Sequence, residues 1–414
     1  MKISLNWFKK YVKIPESVSN EELIRLIGSR LVEVEGVIDE AHKYDNIYIV
    51  RVETCEKIPD THLTLCQINA GMAPFRGLSE VTTENEGASP VTTGASDPSR
   101  ERSHPALIHV VCGAPTVREG MLAVWIAPGA TVPASVHEDA PFVIGKRKMQ
   151  GYESNGMLAG ADELDFGEDH SGIVEIEPET AVPGDKLVNV FELDDLILEI
   201  ENKSLTHRPD CFGIIGFARE VAGVLGVKFE PTFSSAGLEF LSTSYTGQPA
   251  EPPLRGEPVG GVRNIRVKNS NHFMLQKKQV SNLTINISSS DICQRSTALI
   301  LEKHGEMKAK YLTWVDTVLS KSGMKPISPI VDATNYLILL TGQPLHAFDY
   351  DKFVAVGGKD KPEIVVRLAR AGEKLILLDD AEVELNENDI VICSGETPVA
   401  LAGAMGGKST MTRG

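Results

Sequence analysis

The sequence predicts a multidomain α+β protein: a small helix-on-sheet unit, a small β-barrel, and a longer mixed α/β region. Three observations lead there. The 414 residues exceed what one core usually holds, at about 100–200 residues per domain. Apolar periodicity changes from helical to strand-like near Val32, and short strand-like runs then follow one another from Asn46 to Pro133. Two polar stretches, 72–106 and 233–261, separate the denser blocks.

Taken in order, Ser19 and Glu22 have capping-box spacing, and Leu23, Ile24, Leu26, Ile27 and Leu31 recur at helical intervals across Gly28. Val32 and Val34 alternate with Glu33 and Glu35 as a half-buried strand does, up to Gly36. The runs IYIVRVETCEKI, TLCQINAG, LIHVVCGAP and MLAVWIAPGATVP are strands separated by Gly and Pro turns, and their spacing fits one small barrel. The stretch 72–106 is rich in Ser, Thr, Gly, Ala and Pro and predicts a mobile insertion in a barrel hairpin. Ile215, Ala218, Val221, Ala222 and Leu225 form one helical face closed by Gly226, with Asp210 as a candidate N-cap. Pro and Gly make 233–261 a linker. Beyond it, alternation at Leu283, Ile285 and Ile287 and the run TALIL predict strands. Tyr311 to Leu319 predict a helix, and EIVVRL, KLILLDD, AEVEL, DIVICS and PVALAGAMGG predict strands with tight turns.

Composition narrows the function. An apolar share of 42%, a charged share of 24% and a mean hydropathy of −0.08 are those of a globular chain. No apolar run reaches the roughly 18 residues of a membrane helix, and Lys9 and Lys10 interrupt the segment a signal peptide needs, so a cytoplasmic protein with no membrane partner is expected. The balance of 41 basic against 57 acidic residues gives −16, which opposes indiscriminate nucleic-acid binding. The six cysteines include no CxxC pair and predict reduced packing residues, neither zinc ligands nor a disulfide framework. No P-loop, GxSxG or HExxH pattern occurs, so no metal or cofactor is expected in this chain.

Three polar clusters remain. VDATNYLILLTGQPLHAFD sets Asp332, Thr334, Asn335, Gln343, His346 and Asp349 among apolar residues, with Gly342 and Pro344 forcing a turn before the histidine. These groups could converge on a ligand or a water, or they could cap helices and bond to backbone. In NKSLTHRPDCFG, Arg208 could belong to a site or pair with an acid in a capped turn. Lys146, Arg147 and Lys148 form the most concentrated basic cluster, either a phosphate patch or a solvated turn.

These residues carry a resemblance. SLNWFKKYV, VCGAPTVREG with IAPGATVP, GYESNGML, NKSLTHRPDCFGIIGFAREVAGVLG, VDATNYLILLTGQPLHAFD and ALAGAMGG occur in the order found in the bacterial phenylalanyl-tRNA synthetase beta subunit family. The sequence is identified as resembling the N-terminal portion of that family. The resemblance implies a first α+β domain made of residues 1–39 plus 152–195, with a tRNA-binding OB-fold, 40–151, inserted in it. Residues 196–414 are implied to be a B3/B4-type editing domain that hydrolyses tRNA mischarged with tyrosine. Thr334, Asn335 and His346 are implied to orient the ester and its attacking water, Ala402 and Gly403 to line the substrate, and Lys146, Arg147 and Lys148 to contact tRNA.

The implied partners are tRNA and an alpha subunit in an α2β2 assembly, whose alpha subunit holds the ATP-, magnesium- and phenylalanine-dependent site. Editing is expected because a hydrophobic pocket rejects an added hydroxyl only about a hundredfold. The alternative is a non-catalytic tRNA-binding OB-fold protein with a scaffold domain. Two departures bear on these expectations. The family's glutamate for the tyrosine hydroxyl lies beyond Gly414, so an incomplete pocket is expected, and 72–106 is longer than the family's barrel hairpin.

Overall fold

A computed structural model describes residues 1–71, 107–229, 283–289, 291–301, 311–358 and 362–412. The expected insertion 72–106 and linker 233–261 lie outside the described residues. The chain divides into two compact units. The first comprises Met1–Phe229, Met307–Ile327 and Leu339–Gly342, and the second Glu230–Glu306, Ser328–Ile338 and Gln343–Gly414. Together they are mixed α+β, and no helix among the described residues is long and apolar enough to cross a membrane.

In the first unit, β1 (Lys2–Ser4) and β2 (Val34–Asp39) flank β11 (Leu196–Ile200) in an antiparallel sheet. β2 runs past Gly36, where the sequence pattern ended, because the glycine leaves room for the Glu199 side chain opposite it. Helices α1 (Leu5–Lys9), α2 (Asn20–Arg30) and α4 (Ile214–Leu225) bury Phe8, Leu23, Ile27, Phe217 and Val221 beside this sheet. Phe8 and Phe217 meet edge to face at 6.0 Å. Ser19 caps α2 by accepting from the Glu22 N–H at 3.2 Å, but the Glu22 carboxylate turns to Arg25, so only half of the expected capping box forms. A complete one forms at α5 (Trp314–Lys321), between Thr313 and Asp316. Lys321 there reaches the buried Asp195 at 2.7 Å, and Asp195 also accepts from the Ser4 hydroxyl and the Asn6 N–H.

The same unit holds the sheet that the strand spacing predicts. β3 (Ile47–Lys57) lies between β4 (Thr64–Asn69) and β6 (Leu122–Ile126), and β5 (Leu107–Cys112) continues beyond β4. β9 (Met157–Leu158) and β10 (Glu175–Ile176) extend it past β6. A separate hairpin, β7 (Lys146–Met149) with β8 (Tyr152–Asn155), joins it where the Val111 N–H donates to the Ser154 hydroxyl at 3.0 Å. The sheet curls into a half-barrel. Both of its faces are covered, which is why its central strands read as unbroken apolar runs. Ile47, Ile49, Leu122, Val124 and Ile126 face a core that includes Leu164, Phe166 and Leu187 of the single-turn helix α3 (Leu187–Val190). Tyr48, Val50, Val52, Ile68, Ile108, Val110 and Trp125 face a second core.

The second unit orders β12 (Thr284–Ile287), β13 (Glu363–Leu368), β16 (Ile390–Ser394), β17 (Thr397–Leu401) and β18 (Met405–Gly406) in one sheet, with β12 parallel to β13 and the other pairs antiparallel. β14 (Lys374–Ile376) and β15 (Glu382–Glu384) form a hairpin. Its helices are residues 329–338 of α6 (Pro329–Thr341) and α7 (Tyr350–Gly357), and the Ser394 hydroxyl ties β16 to α7 by donating to the Phe353 carbonyl at 2.6 Å. The run TALIL is not a strand: residues 297–301 are irregular, with Leu299 and Leu301 exposed. A run of apolar residues too short to show a period identifies no element without a neighbouring strand to pair with.

Candidate functional site

In the second unit, QPLHAFD is held on the C-terminal side of its histidine. The Asp349 carboxylate caps α7 by accepting from the Lys352 N–H at 3.0 Å, and the Asp349 N–H donates to the Thr410 carbonyl at 2.9 Å. Phe348 packs between Phe353, at 5.2 Å, and the edge of the His346 ring, at 4.7 Å. The imidazole stands over Gly406, where a Cβ would clash with its Cε1 and Nε2. Any larger residue at Gly406 must displace the ring, so the glycine is a requirement of this contact. Solvent reaches one side of His346, while burial of the rest lowers its pKa below 6.5. At neutral pH the ring is therefore uncharged and keeps one nitrogen lone pair for a water or hydroxyl proton.

Thr334 and Asn335 lie on a helix. The DATN segment is helical, inside α6, and both residues are half-buried. The Thr334 hydroxyl donates to the Val331 carbonyl at 2.7 Å, a local helix bond that occupies its proton. Among the described residues, no hydrogen bond joins Thr334 or Asn335 to His346 or to the Gly403 turn. Gly403 has φ +70° and open space where a Cβ would stand, so its glycine serves the left-handed backbone. The Ala402 N–H donates to the Ile390 carbonyl at 2.9 Å, which fixes the start of this turn. The missing Cβ matters sterically at Gly406, beside the His346 ring, and at Gly407, beside the Val399 carbonyl. The signal in the sequence is a pair of glycines, Gly406 and Gly407, three residues past the single Gly403.

In the first unit, Lys146, Arg147 and Lys148 lie in β7, a strand and not a loop, with all four of its residues exposed. Gln150 and Gly151 turn the hairpin with φ +50° and +89°, the double positive φ of a two-residue loop that follows the sheet's twist. No ion pair among the described residues neutralises the three cations. Arg147 stacks over Phe142 at 5.3 Å, and Met149 and Tyr152 beside it are exposed, so positive charge alternates with apolar and aromatic surface. The hairpin edges a cleft of about 550 Å³ whose lining includes Phe142, Arg147, Ser154, Asp162, Glu163 and His170. Its opposite wall is acidic. Burial raises the Glu163 pKa, the Gly160 N–H donates to its carboxylate, and His170 bonds Asp162 at 2.7 Å. Gly156 closes the hairpin against Trp125, whose Nε1–H donates to the Asn155 carbonyl at 3.0 Å.

Asp210 is not the N-cap of α4. That position is Gly213, and the Asp210 carboxylate instead pairs with Arg208, at 3.0 Å, and with Arg219. Arg208 also reaches Glu220 at 2.6 Å, so the guanidinium outcompetes the weaker backbone cap. The bond from Arg208 holds the Asp210 pKa down to about 2. Asp210, Cys211 and Glu220 bring three potential ligand atoms together, but two arginines already balance the carboxylates, so the expected pairing of Arg208 with an acid is present and the expected cap is not.

Comparison with known proteins bears on both units. Residues 292–413 match the B3/4 domain family. The chain is similar to the protein named "Phenylalanine--tRNA ligase beta subunit" of Oceanobacillus iheyensis, with 33% identity over 99% of this chain and 41% of that protein. The proteins of the same name from Streptococcus pneumoniae and Desulfotalea psychrophila are 32% and 30% identical, again over 99% of this chain. The chain spans about two fifths of the length of these curated relatives. It thus contains a B3/4 domain and is similar along nearly its whole length to phenylalanine–tRNA ligase beta subunits.

Proposed function

We propose that this chain is the N-terminal part of a cytoplasmic phenylalanine–tRNA ligase beta subunit. In this reading it binds tRNA through an OB-fold barrel and removes tyrosine mischarged onto phenylalanine tRNA. One observation carries the reading: the similarity to such beta subunits extends over 99% of the chain, and the B3/4 match spans Thr334, Asn335, His346, Ala402 and Gly403. The curled sheet with its exposed basic hairpin supports the OB-fold assignment. Aminoacylation itself, with ATP and magnesium, belongs to an alpha subunit partner.

Editing here is ester hydrolysis. Water attacks the aminoacyl carbonyl, a base takes its proton, and the tRNA 3′ oxygen leaves with a proton to give free tyrosine. The uncharged His346 is the group able to accept the proton, and Asn335 and the Gly403 backbone would position the ester. In the assembled ligase, His346→Ala should slow deacylation of tyrosyl-tRNA for phenylalanine by about 10²–10⁴-fold and leave aminoacylation with phenylalanine unchanged. Equal decay rates for the two proteins defeat the assignment of His346.

For the hairpin, tRNA affinity measured against salt should lose about 2–3 units of slope in Lys146→Glu/Arg147→Glu/Lys148→Glu, near 0.7–0.9 per phosphate contact. An unchanged slope makes the three cations ordinary surface. A second reading, a tRNA-binding protein whose B3/4 domain is scaffold, is favoured by the Thr334 hydroxyl being bonded within its own helix.

A further inference from the structure

We propose that Cys55 and Cys66 form a redox-active dithiol, which a low-molecular-weight disulfide of the oxidised-glutathione class converts to a cross-strand disulfide in the half-barrel. The two residues are direct partners across β3 and β4, and their sulfurs are 3.6 Å apart. Directly opposite residues of antiparallel strands have Cβ atoms about 4.5–5.5 Å apart. A disulfide needs Cβ atoms about 3.5–4.5 Å apart and an S–S bond near 2.05 Å, so a small rotation at each Cβ with slight strand approach closes it.

A β-bulge creates the pair. Up to Val52 the register matches Val52 with Ile68, and beyond it Thr54 pairs with Gln67, leaving Glu53 as the extra residue. Without that residue, Cys66 would stand opposite Thr54. The bulge also reverses which face each residue presents. Val50 and Val52 point into the second core, and by strict alternation Cys55 would point out, yet it packs against that core beside Cys66. The third thiol nearby, Cys112, pairs with Thr64 and is therefore diagonal to Cys66.

Access sets the order of events. Cys66 is fully buried and Cys55 only partly, so Cys55 meets the oxidant first. Its thiolate attacks one sulfur of the small disulfide, expelling one thiolate and leaving a mixed disulfide on Cys55. Cys66 then loses its proton and attacks the Cys55 sulfur, expelling the second thiolate. Two small thiols carry away the two protons and two electrons the protein has lost. Burial raises the pKa of both thiols, so the conversion is slow at neutral pH and accelerates as pH rises.

The test uses the full chain, folded, incubated with oxidised glutathione, then unfolded in denaturant containing the alkylating agent and digested for mass mapping. The expected product is a peptide pair joined through Cys55 and Cys66, lighter by two hydrogens and absent after reduction, with Cys211 and Cys393 fully alkylated. Cys66→Ser should instead retain glutathione on Cys55. Should that variant fail to fold, the map of the unaltered chain still decides. Cys55 remaining alkylatable after prolonged oxidation at pH 8.5, or joining Cys112 in place of Cys66, overturns the proposal.

Discussion

The half-barrel sheet of the first unit and the five-stranded sheet of the second use the same kinds of residue to different ends. β3 buries Ile47, Tyr48, Ile49 and Val50 in succession because a core lies on each side of it. β13 has the comparable sequence EIVVRL, yet Glu363, Ile364 and Val365 stay half-buried and Arg367 is drawn under the surface to pair with Glu373 at 2.7 Å. Where both faces are covered, β3 carries no charged side chain from Ile47 to Val50. One-sided coverage leaves edges and turns, and there His346 finds both a packed face and a wet one. The residues proposed for ester hydrolysis lie in the second unit.

The contrast is most exposed to core truncation. Ile49→Ala removes side-chain volume enclosed on every side and should cost about 2–5 kcal/mol, whereas Ile364→Ala, half-buried, should cost about 1–2. Trp7, Trp125 and Trp314 all belong to the first unit, so tryptophan fluorescence follows its unfolding while far-ultraviolet circular dichroism follows both. Ile49→Ala should shift the fluorescence transition and Ile364→Ala should not. Equal shifts would show that the units unfold as one and erase the distinction.

Gly406→Ala tests the second unit at its tightest contact. A methyl there meets the imidazole, but the ring can swing toward solvent, so the cost should fall near the lower end of the roughly 1–3 kcal/mol typical of overpacking. Tyrosyl-tRNA deacylation should drop as sharply as in His346→Ala. A fully active Gly406→Ala would separate the ring's position from the chemistry assigned to it.

The smallest effect is the pH response. The folded-state pKa of His346 lies below its unfolded value, so the unfolded chain binds the extra proton first. The second unit should therefore keep its full stability above about pH 6.5 and lose it as pH falls through the lowered value. The loss is small because solvent screens one side of the ring. His346→Asn should flatten the slope, and an unaltered slope would place the responsible group elsewhere.

Local signals read correctly from sequence where one neighbour on the chain decides the outcome. Ser19 caps its helix because the Glu22 N–H is three residues away, and Gly226 ends α4 because it alone there takes φ +67°. Asp210 shows the limit. Its spacing suits a cap, but Arg208 and Arg219 offer stronger, charged partners. Pairing with Arg208 was open to a sequence argument; the second guanidinium, brought by the helix, was not.

Residue types, their order and their periodicity determined that this chain folds as α and β together, where most strands lie, and which histidine stands beside a forced turn. Periodicity reports only burial along one element, so it is silent on what an element meets. Tertiary structure alone decided that DATN is helical, that His346 faces Gly406 and not Gly403, and that one extra residue in β3 sets Cys55 against Cys66. The last two depend on strand register or on residues far apart in the chain, and a shift of a single position would undo them.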